Sequence, residues 1–144
     1  MKAYISFSEI QSLIQLKTKQ EIAFTATSEQ SLKIETKIKK KLPLIGEIGK
    51  TVGMEVTVER IVGNDIYLKY EGGLGIDMII KGLLTFVTAI STQKIIEKEQ
   101  DNALVVHLDQ IEQAQKALEM FKLSAIKFQL EGIEAEVRFK LNEK

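Results

Sequence analysis

The sequence predicts an α+β fold: a curved, mostly antiparallel sheet built from three hairpins plus short strands, with about three helices, one of them long and apolar near residues 76–99. Three observations predict it. Apolar and polar residues alternate in paired runs on either side of short polar turns, which is the pattern of hairpins. Two stretches, near the start and near the end of the chain, switch to helical spacing behind a capping residue. Between them lies a run that is apolar around most of a helical circumference.

The first unit opens with a short strand at about Lys2–Phe7. Ser8 then offers an N-cap with Gln11 three residues on, and Ile10, Leu13 and Ile14 form the apolar stripe of a helix reaching about Lys17. A hairpin comes next, Glu21–Thr27 and Ser31–Lys40 around Ser28-Glu29-Gln30. That turn sets Ala26 opposite Leu32 and Phe24 opposite Ile34, with Glu21 opposite Lys37. Pro43, Gly46, Gly49 and Gly53 interrupt the next stretch of chain, so a bend or bulge is expected there.

A second hairpin spans Met54–Val62 and Ile66–Tyr70 around Gly63-Asn64-Asp65, setting Val62 opposite Ile66 and Val58 opposite Tyr70. Next comes Gly72-Gly73-Leu74-Gly75 and then the long helix. The last unit repeats the first in form. Ala103–Leu108 is a strand, Asp109 and Glu112 make a capping box, and Ile111, Ala114, Leu118 and Phe121 line a helix to about Lys122. A third hairpin turns at Glu131-Gly132 and sets Phe128 opposite Ala135, Lys127 opposite Glu136 and Ile126 opposite Val137.

Composition bounds the function. The chain has 144 residues, a length at which one domain (1–144) buries roughly 68–70% of the surface its unfolded form exposes. Lys+Arg and Asp+Glu are 20 each, so the net charge is zero and no nucleic-acid partner is expected. The run Lys37, Lys39, Lys40, Lys41 is read as a solvated strand end. Cys is absent, which excludes disulfides, thiolate metal sites and Cys nucleophiles. The N-terminal residues lack an apolar signal core, and a cytoplasmic location is expected.

No catalytic residues, metal site or cofactor site emerge. His107 is the one histidine and has no partner motif in sequence, so it is read as structural. Gly46-Glu47-Ile48-Gly49-Lys50-Thr51 lacks the spacing of a phosphate loop, because Leu44 stands where that motif needs Gly. Gly72-Gly73-Leu74-Gly75 is read as a flexible strand-to-helix turn.

The informative element is the long helix. At about 100° per residue, Asp77, Lys81, Thr85, Thr88 and Thr92 form one narrow polar stripe. Ile76, Met78, Ile79, Ile80, Leu83, Leu84, Phe86, Val87 and Ile90 cover most of the rest, roughly twice the arc that a helix lying on a sheet needs. Asp77 and Lys81, with the short apolar run, argue against a transmembrane span.

Ile5-Ser6-Phe7-Ser8-Glu9-Ile10, a strand entering a capped helix, and the alternating runs Val56–Tyr70 and Ile126–Leu141 resemble small bacterial members of the tubular lipid-binding (TULIP) superfamily. That resemblance implies a sheet wrapped around apolar helices with lipid held between them, and no catalytic residues. The expected function is therefore a non-catalytic binding module for a lipid or fatty acid, lined by Met78, Ile79, Leu83, Phe86, Val87 and Ile90. The alternative is a structural or protein–protein interaction domain with a packed core, the extra arc covered by its own sheet or by a second subunit in a homodimer.

Overall fold

The computed structural model of the chain describes residues 1–19, 21–42, 46–73, 75–90 and 94–140, with backbone alone at 38–42, 46–50, 90 and 113. It is α+β, with two antiparallel sheets in place of the single expected sheet. The elements are β1 (Lys2–Ser6), α1 (Phe7–Thr18), β2 (Ile22–Ala26), β3 (Ser31–Leu42), β4 (Gly46–Val62), β5 (Asp65–Gly72) and α2 (Ile76–Ile90). After these come β6 (Ile96–Glu99), β7 (Ala103–His107), one 3₁₀ turn (Leu108–Gln110), α3 (Glu112–Met120), β8 (Phe121–Phe128) and β9 (Gly132–Phe139). The smaller sheet runs β1-β9-β8, and the larger runs β2-β3-β4-β5-β7-β6.

The first hairpin forms as the alternation predicts, with Phe24 opposite Ile34 and Ala26 opposite Leu32. The expected interruption after it falls differently. Residues 43–45 lie outside the description, but β4 begins at Gly46 and carries Gly49 and Gly53 within one continuous strand. It pairs with β3 from Ser31↔Thr57 to Leu42↔Gly46, so two expected hairpins share a third between them. The glycines weaken a strand but do not end one when a long ladder supplies the backbone partners.

The second hairpin turns at Gly63-Asn64, with Val62 opposite Asp65 and not Ile66. Gly63 has φ 61°, and Asn64 is not left-handed, as a two-residue turn with Gly first requires. Glu59 is an extra residue between the pairs Val58↔Leu68 and Arg60↔Tyr67. This bulge exchanges the faces of β4 beyond it. Ile61, opposite Ile66, continues the face of Val56 and Val58, while Val62 turns out to solvent at 55% exposure. Arg60 moves to the outer face and lies 4.1 Å from the Tyr67 ring centroid.

Neither capping box forms as expected. α1 is capped by Ser6, whose hydroxyl accepts from the Glu9 amide while the Glu9 carboxylate accepts from the Ser6 amide. The helix thus starts two residues before the Ser8–Gln11 expectation, because Phe7 must enter the core at its first turn. At the last helix, Asp109 belongs to the 3₁₀ turn, and α3 begins from Ile111 without a side-chain cap. It ends at Met120, and Phe121 and Lys122 already belong to β8.

The terminal hairpin keeps its expected faces in a different register. Ile126 lies opposite Ala135 and Phe128 opposite Ile133, and the turn centres on Leu130-Glu131, with the Gln129 amide donating to the Gly132 carbonyl at 2.8 Å. The shift moves each partner by two residues, so every side chain stays on its face. Gly132 is needed for another contact. A Cβ there would meet the Ile5 carbonyl oxygen and the Tyr4 ring, since β1 runs close beside β9 here, with Ser6 opposite Gly132.

One cluster of buried apolar side chains joins α1 (Phe7, Ile14), β2–β5 (Ile22, Leu32, Ile34, Val52, Met54, Val56, Tyr70), α2 (Ile79, Ile80), β7 (Leu104) and β8 (Phe128). The Ser28–Gln30 turn stitches the two sheets: the Phe128 amide donates to the Glu29 carbonyl at 2.8 Å, and the Val58 amide to the Gln30 carbonyl at 2.9 Å.

Candidate functional site

Three regions carry the residues that could act: the apolar helix α2, the single histidine, and the open side of the smaller sheet. The helix is shorter than expected. It ends at Ile90, and the segment Ile96–Glu99, expected as its last turn, is strand β6 paired with β7. Residues 91–93, including Thr92 of the expected polar stripe, lie outside the description.

Around α2, Ile79, Ile80 and Gly82 are buried, and Ile76, Leu83, Leu84, Phe86 and Val87 are half-buried. At about 100° per residue these positions sweep an arc of about 200°. Helix α1 and strands β3 and β4 pack against it, with Ile76, Leu83, Leu84 and Phe86 against the common core. The exposed remainder holds Asp77, Lys81, Thr85 and Thr88. Both threonine hydroxyls donate to carbonyls one turn back, Lys81 and Leu84, each at 2.8 Å, so this stripe satisfies itself.

The six residues expected to line a ligand site therefore separate. Ile79 is core at 1% exposure, whereas Met78 points to solvent at 52%. Leu83, Phe86 and Val87 are half-buried together, and the Ile90 side chain lies outside the description. A cleft of about 440 Å³ opens between α1, β2 and β3, lined by Gln11, Gln15, Glu21, Ile22, Thr36 and Thr51 among others. A shallow depression on the exposed side of α2 is lined by Lys81, Leu84, Thr85, Thr88 and Ala89. Neither takes in Met78, Ile79, Leu83, Phe86 or Val87.

His107 has partners that its neighbours in sequence do not reveal. It pairs in register with Asp65 on β5, and Nδ1 lies 2.7 Å from Asp65 Oδ1. Its enclosed Nε2 lies 3.4 Å from Glu97 Oε1 on β6 without hydrogen-bond geometry. The hydrogen bond to Asp65 holds the imidazole pKa above its ordinary value of 6.5; burial opposes this, and the charges of Asp65, Glu97 and Asp109 add to it. A carboxylate thus faces each ring nitrogen. Such a ring bridges three strands, and with Nδ1 engaged by Asp65 it is badly placed to take a proton from a substrate. Among the described residues, no group of three or more His, Asp and Glu side chains is arranged to hold a metal ion.

The smaller sheet is apolar on one face and charged on the other. Ile5, Ile133 and Phe128 share the apolar face, as do Ala3, Ala135 and Ile126, and the Phe121 and Phe139 rings lie 4.8 Å apart. Opposite stand Lys2, Glu134, Glu136 and Lys127, joined by Lys2–Glu134 at 3.6 Å and Lys127–Glu136 at 3.7 Å. The inner part of the apolar face packs on the core through Phe128, Ile126 and Ile133. Its outer part does not: Ile5 is 43% exposed, and Met1 and Phe139 are exposed as well, while Tyr4 stands on the charged face opposite Glu134. Sequence reasoning passed over this edge because nothing in a short strand says whether it will stand at an edge or a centre.

No family model, curated protein or solved structure matches this chain. Among the described residues, no helix is long and apolar enough to cross a membrane.

Proposed function

We propose that the protein is a non-catalytic protein–protein interaction domain built on a packed core. The observation that supports this is the covering of α2: its wide apolar arc lies against α1, β3 and β4 of the same chain. On this reading the surplus that suggested a bound lipid is covered by the chain's own side chains. Apolar side chains are left exposed on the smaller sheet, at Met1, Ile5 and Phe139. Exposed apolar surface, where it is contiguous, marks partner sites.

A second reading keeps the lipid or fatty acid. It draws on Leu83, Phe86 and Val87, which lie half-buried along one side of α2. Native mass spectrometry of the purified protein, followed by organic extraction, separates the two. The interaction reading expects the bare mass of 16.2 kDa or multiples of it, with no uptake of offered fatty acid or phospholipid. An extra mass that extracts as lipid, and that Phe86→Asp removes without unfolding the protein, would replace it with the carrier reading.

A further inference from the structure

We infer that β1 is the contact strand of a symmetric homodimer, pairing antiparallel with β1 of a second copy to join two three-stranded sheets into one of six. This rests on the interaction reading and names its partner. In the backbone ladder, the Phe7 amide donates to the Glu131 carbonyl and the Val137 amide to the Met1 carbonyl, so the odd-numbered residues of β1 exchange hydrogen bonds with β9. Lys2 and Tyr4 therefore turn their N–H and C=O groups outward, and β1 is the edge strand of its sheet. Ser6 is not available to a partner, because its amide is already bonded to the Glu9 carboxylate.

An edge with free donors and acceptors on Lys2 and Tyr4 has one register that uses all of them with a copy of itself. Lys2 pairs with Tyr4 of the second copy, and Tyr4 with Lys2, giving four backbone hydrogen bonds by the antiparallel rule. Ala3 then lies directly opposite Ala3 of the second copy in a non-hydrogen-bonded pair. Such pairs bring Cα atoms to about 4.5 Å, which suits a small side chain. On the apolar face, Ile5 meets Met1 of the second copy on either side of the alanines, extending the exposed part of that face.

On the other face no like charges stand directly opposite. Lys2 faces a tyrosine and is already neutralised by Glu134 at 3.6 Å. Edge strands are usually protected by proline, a bulge, short length or charge, above all Lys; β1 has no proline and a regular ladder with β9, though it is short and carries Lys2, which is paired with Glu134. A two-fold contact must be self-complementary in this way.

The chain contains no cysteine, so single replacements report position cleanly. Ala3→Cys, Lys2→Cys and Tyr4→Cys would each be oxidised mildly at tens of micromolar. Ala3→Cys should form a disulfide-linked dimer at least about tenfold faster than the other two, since only its sulfurs meet across the two-fold. Sedimentation equilibrium of the unmodified protein should show twice 16.2 kDa at those concentrations. Ala3→Glu, placed at an exposed position, sets like charges opposite each other and should raise the dissociation constant at least about tenfold while leaving the circular dichroism spectrum unchanged. A monomer at about 100 μM, or crosslinking at residue 3 no faster than at residues 2 and 4, overturns the proposal. A dimer that crosslinks elsewhere leaves the interaction reading standing and removes β1 as its site.

Discussion

His107 and Asp65 are direct register partners across the β5–β7 ladder, with Nδ1 2.7 Å from Oδ1, so a carboxylate from a distant strand raises the pKa of the only histidine. The consequence is pH-dependent stability. The folded-state pKa is raised above 6.5, so the stabilising contact is fully present below pH 6.5 and is lost as pH rises through the folded value. A single imidazole resonance should titrate with its midpoint above 6.5 by NMR. Asp65→Asn should lower that midpoint and cost about 1–2 kcal/mol in urea unfolding near pH 5.5, with the difference from wild type shrinking at pH 9. A midpoint at or below 6.5 in the wild type would contradict this geometry.

Gly132 and Gly73 separate close approach from free space. A Cβ at Gly132 would lie 2.5 Å from the Tyr4 hydroxyl and against the Ile5 carbonyl, and that backbone atom cannot move without lifting β1. Gly132→Ala should cost about 1–3 kcal/mol. Nothing lies within 4 Å of a Cβ at Gly73 and its φ is not left-handed, so Gly73→Ala should be neutral or stabilise by up to about 1 kcal/mol. Thermal melts of the two variants should move apart, and equal melting temperatures would argue against the close approach of β1 to β9 at Gly132.

Adjacent residues on α2 should behave in opposite ways. Ile79 is core and Met78 faces solvent, although both were expected to line a ligand site. Ile79→Ala should cost about 2–5 kcal/mol, and Met78→Ala no more than about 0.5 kcal/mol. Comparable losses in denaturant unfolding would mean that the helix is rotated about its axis, with Met78 turned toward the core.

The start of α1 can be located by two serines. Ser6→Ala removes the hydroxyl that accepts from the Glu9 amide at 3.1 Å, and should cost about 1 kcal/mol. Ser8 lies in the first helical turn and is exposed, so Ser8→Ala should be neutral or slightly stabilising. A larger loss at Ser8 would restore the cap expected from sequence.

The two capping expectations, one displaced and one unmet, show how far local signals reach. Ser6-Glu9 and Ser8-Gln11 both fit the pattern, and only the burial of Phe7 in the core selects the first. The terminal hairpin shows the same limit. Alternation sorts Ile126, Phe128, Ile133 and Ala135 onto one face, but a shift of a partner by two residues leaves that sorting intact. The pattern therefore reads faces and is blind to register. A bulge is harder still: Glu59 carries no local mark, yet it turns Val62 out and sets Arg60 over Tyr67.

By itself the sequence determined the α+β class, the facing of the strands, the first hairpin's pairs Phe24–Ile34 and Ala26–Leu32, and the polar stripe of α2. These arise from periods of two and 3.6 residues and from turn chemistry, which act over a few positions. Only the tertiary structure decided that β3 and β4 pair, that the sheet divides in two, that His107 meets Asp65 and Glu97, and that β1 stands at an edge. Those contacts join residues far apart in the chain, and their selection depends on how the whole core packs, which no short window of sequence contains.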